Sequence, residues 1–228
     1  MNTPTTRVNT LRHRRSGHAR AAKVPPMSIS RVLTWQVTES TGYETAWAEL
    51  DGGALRAHGR AVGTAPDPYW ISYELDTGDD FVTRALRVTA EDARGVRELE
   101  LVRDGAGQWS ADGEALPELE GALDCDLGLC PLTNTMPVLR HGLHRSAAQG
   151  ERRFLVAWVS VPDLAVRASR QHYAPLQRTV HGARVRFTSG DYQRDVTFDA
   201  DGFVVDYPGL AHRLARPERL PGRVRPSG

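Results

Sequence analysis

The 228-residue chain is 40% hydrophobic and 25% charged, with enough apolar content for one large or two small globular domains. No apolar run approaches the roughly 18–20 residues that cross a bilayer as a helix, so no transmembrane segment is expected. The net charge of +1 hides 17 Arg opposed by 27 Asp and Glu between Val32 and His212, a net-negative body for which no nucleic-acid partner is expected.

The excess of positive charge lies at the ends. Met1 to Arg31 carries seven basic residues and no acidic one, and Arg213 to Gly228 carries five Arg against Glu218 alone. "HRRSGHARAAKVPP" has few groups to bury, so both ends read as solvated tails, with attraction to a phosphate backbone or a lipid surface as the alternative. No apolar stretch of the roughly 7–15 residues that a secretory signal needs follows the first basic residues. A cytoplasmic location is therefore expected, with Cys125 and Cys130 as reduced thiols whose spacing fits no zinc site.

The body is a succession of short strands. "ETAWAELDGG" alternates and turns, followed by "LRAHGRAVG", "PYWISYELDTGDD" and "FVTRALRVTAED". After Gly95 come "VRELELVRDGAGQWSADGEAL" and "GALDCDLG", then "RRFLVAWVSVPDL", "AVRASRQHY", "GARVRFTSGDYQRDVTFDADG" and "FVVDYPGL". The period is two and the apolar positions favour Val, Phe, Tyr, Trp and Thr. Asp-Gly recurs at 51–52, 104–105, 112–113 and 201–202, where glycine tolerates the positive φ of a tight hairpin. Such short links make neighbouring strands antiparallel, and no strand is followed by a long amphipathic helix. One segment differs: Met136, Leu139 and Leu143 fall at helical spacing, with Thr133 or Thr135 as cap, Pro137 in the first turn and Gly142 weakening the far end. One short helix is expected there, an extended "MPVLRHGLH" being the alternative. The fold class is mainly β: one antiparallel meander, long enough that it must curl.

The chemistry gathers in "DCDLGLCPLTNTMPVLR", residues 124–140. As a strand it puts Asp124 and Asp126 on one face, placed to share a cation or bind sugar hydroxyls, or else solvated or paired with Arg140. Asp-x-Asp is also a metal-holding pattern of sugar-nucleotide transferases. Thr133, Asn134 and Thr135 can tie off backbone groups where the prolines break the chain, or line a pocket. Gln171 and Tyr173 share a strand face opposite His172, and Asp206 and Tyr207 precede Pro208-Gly209; a ring beside amide and carboxylate groups suits a sugar. The five Trp are spaced one per region, as core residues would be. His141 and His144 read as surface residues before metal ligands. No nucleophile elbow, P-loop, zinc helix or dinucleotide loop occurs, and no cofactor, metal or catalytic residue is expected.

Several stretches together resemble a bacterial family named "Putative glycolipid-binding". They are "GALDCDLGLCPLTNTMPVLR", "VAWVSVPDLAV", "QHY" and "GFVVDYPGL", preceded in order by Gly42, Glu44 and Ala46, by Thr83-Arg84, and by a G-x-W. The resemblance spans residues 32–213 as a single domain, leaving 1–31 and 214–228 as tails. It implies a meandering sheet rolled around one helix (a spiral β-roll), a homodimer, and a cleft for an amphiphilic, glycolipid-like small molecule. The motif positions carried over are Asp124, Asp126, Pro131, Thr133, Asn134, Pro137, Arg140, Gln171, Tyr173, Asp206, Tyr207 and Pro208. Arg140 would then pair with an anionic head or with Asp124, while Asn134, Gln171 and Tyr173 would bind hydroxyls. Two other readings stand beside it: an enzyme on a sugar- or lipid-like substrate using Asp124, Asp126 or Asp206, and a structural module that only dimerises.

Overall fold

The computed structural model describes residues 28–146 and 150–215, so nearly all of both basic tails lies outside the described residues. Within them runs one sheet of fifteen strands. The first eight are β1 (Ile29–Val37), β2 (Gly42–Asp51), β3 (Ala54–Gly63), β4 (Tyr69–Thr77), β5 (Thr83–Asp92), β6 (Gly95–Arg103), β7 (Trp109–Ala111) and β8 (Glu114–Ala115). After the short β9 (Asp124–Leu127) and the helix α1 (Thr135–Arg140), the chain continues through β10 (Arg152–Val159), β11 (Val166–Thr179), β12 (Gly182–Ser189), β13 (Tyr192–Asp199), β14 (Val204–Tyr207) and β15 (Ala211–Arg213).

The order across the sheet explains the shape. The first eight strands step outward from β1, while β10 to β15 step back until β15 pairs with the other edge of β1, Trp35 opposite Arg213. The sheet curls without closing into a barrel. Every pairing is antiparallel except the last, β9 with β10, which is parallel because a crossover containing the helix separates them. The expected all-antiparallel meander needs that one amendment.

The Asp-Gly pairs sit at turns. Gly52 and Gly53 adopt φ of 57° and 94° between β2 and β3, and Asp112 and Gly113 adopt 51° and 87° between β7 and β8. β2 shows the period of two directly: Gly42, Glu44, Ala46, Ala48 and Leu50 are buried, and Tyr43, Trp47 and Glu49 are exposed.

Two apolar layers share the helix. Met136 and Leu139 join the inner face of β1 to β7, including Trp35, Ile71, Leu86 and Leu101. Val138 and Leu143 join Tyr173, Val185, Phe187 and Phe198 from the second half. Residues 135–139 are all buried, so the expected single apolar stripe of Met136, Leu139 and Leu143 is replaced by burial all round. The helix also stops earlier than its spacing suggested. Gly142, at φ 60°, turns the chain, its N–H donates to Leu139 O, and the Leu143 N–H donates to Val138 O at 3.0 Å, a Schellman ending. Neither threonine caps it. A 3-10 turn, Pro131–Asn134, leads straight into α1, and Thr133 is engaged elsewhere.

Candidate ligand cleft

β9 is the innermost strand of the roll, with Cys125 and Leu127 against the first apolar layer and Asp124 and Asp126 on the opposite face. Asp124 is 1% exposed. Arg140, one helix away, grips both of its oxygens, with Nη1 donating to Oδ2 at 2.8 Å and Nη2 donating to Oδ1. Burial raises the Asp124 carboxyl while the guanidinium pulls it back, and a neutral Asp124 would strand a buried cation. The carboxylate therefore stays charged, and both groups are occupied by each other.

Asp126 has different partners. Gln171 Nε2 donates to its Oδ2 at 2.6 Å and Thr133 Oγ1 to its Oδ1 at 3.0 Å. Behind Gln171 the chain of donors continues: Tyr173 O–H donates to Gln171 Oε1 at 3.4 Å, and Asn134 Nδ2 donates to the Tyr173 oxygen at 3.3 Å. Every bond points toward the Asp126 carboxyl, so each polarises the next. Burial lifts that carboxyl above its ordinary value, against the pull of Gln171 and Thr133. Burial also keeps the Tyr173 phenol protonated as the donor this chain requires.

Asp126, Asn134 and Gln171 form the polar floor of a cleft of about 590 Å³. That volume falls within the roughly 300–1,000 Å³ of small-molecule sites. Leu129, Val161, Phe187 and Leu210 supply apolar wall, and Tyr192 and Tyr207 add rings with polar tips. One rim comes from distant turns at Glu39-Ser40 and Ala65-Pro66. Chemically the cleft offers hydrogen-bond acceptors at its floor and apolar contact along its sides. Asp126 and the Asn134 carbonyl can accept hydroxyl hydrogens, and the Gln171 amide keeps a second N–H to donate.

The structure thus gathers Asp126, Thr133, Asn134, Gln171, Tyr173 and Tyr207 at one place and sets the other candidates apart. Arg140 and Asp124 lie beside the cleft as a closed pair. Asp206 is exposed on β14, on the opposite side from its neighbour Tyr207. The histidines differ from their reading as a surface pair: His144 is 2% exposed, with Nε2 accepting from Arg145 Nε at 3.0 Å and burial holding it neutral. Among the described residues no three His, Cys, Asp or Glu side chains cluster as a metal would need. Both thiols are buried and free, and burial pushes Cys125 up to about 12. Of the five Trp, Trp35 and Trp109 are core, Trp47 and Trp70 are each 42% exposed on the outer sheet face, and Trp158 lines the cleft.

Sequence reasoning missed Trp158, Arg167, Ser169, Phe187, Ser189 and Tyr192 as wall residues. The available signal was the placement of Arg167 and Ser169 at a period of two with Gln171 on β11, the other four lying on β10, β12 and β13. It named Glu44 only as part of an ordered motif and gave no role to this wholly buried carboxyl, which accepts from Tyr73 O–H at 2.5 Å.

An open sheet curled about one short helix, with a polar-floored cleft inside the curl, makes this a β-roll protein. The chain belongs to the family described as "Putative glycolipid-binding", which it matches over residues 32–213. It is similar to the crystal structure of a DUF1089 family protein from Pseudomonas aeruginosa, with 27% identity and a TM-score of 0.61 over 89% of this chain and 100% of that one. No curated protein matches it.

Proposed function

We propose that the chain binds an amphiphile of glycolipid type in this cleft, without transforming it. The observation that carries the reading is the floor: three polar side chains converge, already ordered by one another, beneath apolar and aromatic walls. A head bearing hydroxyls would meet Asp126, Asn134 and Gln171, and its chain would lie along Leu129, Val161 and Leu210. Preorganised donors and acceptors lower the ordering cost of binding. The family name points the same way. A homodimer belongs to this reading as well. Its support is the outer face of β2 to β4, where Tyr43, Trp47, Val62 and Trp70 are all exposed.

Native mass spectrometry, before and after organic extraction, tests both parts. The expected result is a dimer mass carrying an extractable amphiphile, which Asp126→Asn combined with Gln171→Ala removes. A bare protein from several lysates that also fails to take up added octyl glucoside would overturn the binding reading. A monomer mass would overturn the dimer alone.

A further inference from the structure

Arg167 is the one cation lining the cleft among the described residues. Its guanidinium lies 4.3 Å from the centre of the Trp158 ring, held there because the two residues are direct cross-strand partners on β10 and β11. Stacking uses the flat face of the guanidinium and leaves its N–H edge free. Among the described residues that edge meets no carboxylate and donates no hydrogen bond, whereas nine other arginines form ion pairs. Ser169 lies two residues along the same strand face, and its hydroxyl is 3.3 Å from that of Ser189 on β12. Both serines line the cleft, as does Gly128, where an added Cβ would stand 3.4 Å from the edge of the Trp158 indole. Of the cleft's two acids, Asp126 stands in register with Trp158 one strand over and is taken by Gln171 and Thr133, and Glu39 enters from the turn between β1 and β2.

We infer that Arg167, pinned on Trp158, forms with Ser169 and Ser189 an oxyanion subsite in the cleft wall, so that the ligand's head is an anion such as a phosphate. The fork supplies paired N–H donors and the two hydroxyls complete the coordination of a tetrahedral oxyanion. This rests on the binding reading above and sharpens it: the floor takes hydroxyls and the wall takes charge.

Calorimetric titration with octyl phosphate, octyl glucoside and inorganic phosphate, each below micelle formation, tests it. Octyl phosphate should bind about tenfold tighter than octyl glucoside, in keeping with charge-assisted hydrogen bonds. Arg167→Gln should bring the two to equality by weakening octyl phosphate far more than octyl glucoside, and Arg167→Lys should keep part of the difference. If inorganic phosphate binds as tightly as octyl phosphate, the subsite stands and its source is the free anion rather than a lipid head. Equal affinities in the unaltered protein, or a preference that survives Arg167→Gln, would overturn the subsite and leave amphiphile binding intact. If neither octyl compound binds, the subsite and the binding reading fall together.

Discussion

Arg140 spends its whole guanidinium on protein. Besides gripping Asp124, its Nε donates to Asp80 O at 2.9 Å and its Nη2 to Phe81 O at 3.1 Å. Asp80 and Phe81 both hold positive φ, 56° and 59°, a conformation that costs a non-glycine residue about 1 kcal/mol or more. The arginine thus holds a strained turn against the inner strand, with side-chain exposures of only 8% for Arg140 and 2% for Asp124. Arg140→Ala should lower stability by about 3–5 kcal/mol, because it leaves a buried carboxylate alone. Arg140→Lys should restore only part, since an ammonium cannot span both partners. Urea unfolding measures both, and a loss under about 1 kcal/mol for the alanine variant would show the pair to be dispensable. Asp124 and Arg140 were legible as partners from their placement on a strand and the adjoining helix. The carbonyls of Asp80 and Phe81, about sixty residues earlier, were not. No local pattern reveals which distant backbone groups lack a partner.

At the scale of elements, β9 is the unusual one. It has a strand neighbour on one side only, and its other edge is buried where water cannot satisfy it. Side chains take over the ladder. Thr83 Oγ1 accepts from the Cys125 N–H at 3.0 Å, the Thr83 N–H donates to Leu123 O at 3.0 Å, and Thr133 Oγ1 accepts from the Leu127 N–H at 3.1 Å. Thr83→Val preserves shape and orphans the Cys125 N–H, so it should cost about 1–3 kcal/mol. Thermal melting reads the loss, and hydrogen exchange at the Cys125 amide should quicken with it. An unchanged melt and unchanged exchange would refute the capping role. Thr83 was visible beforehand as part of an ordered motif, but its task was not. Three strand segments also escaped the sequence. β1 begins among polar residues at the edge of the basic tail, and β15 has only three residues. β11 runs on through Pro175, which the sheet accommodates by a register shift between Pro175 and Gln177.

Rolling the sheet has a consequence for the whole molecule. It carries Glu44, correctly placed on a strand, into the interior between Tyr73 and the backbone of Leu132. Burial lifts its carboxyl from 4.5 to about 8, the Tyr73 and Leu132 bonds opposing the shift. The folded protein thus keeps a proton that the unfolded chain releases above 4.5. The stabilisation from this group is complete below 4.5 and is lost as pH rises toward about 8. The slope from this residue is up to about 1.4 kcal/mol per pH unit. Glu44→Gln keeps a polar partner for Tyr73 and removes the titration, so stability measured at pH 5 and pH 8 should differ less in the variant than in the unaltered protein. An identical pH dependence in the two would show that Glu44 ionises normally.

Local order made much of this protein readable. A period of two, β-branched and aromatic residues on the inward positions, and Asp-Gly at the turns determine strands and hairpins, because side-chain alternation and positive φ are properties of neighbouring residues. For the same reason the short break at residues 131–142 showed its helix and its glycine. The tertiary structure decided which faces became interior. It buried both sides of β9, closed Asp124 against Arg140, turned Asp206 outward while Tyr207 faced the cleft, and brought Trp158, Arg167 and Ser189 alongside Asp126. Those outcomes depend on how far fifteen strands curl and on which strand ends innermost, sums over the whole sheet that no window of sequence contains.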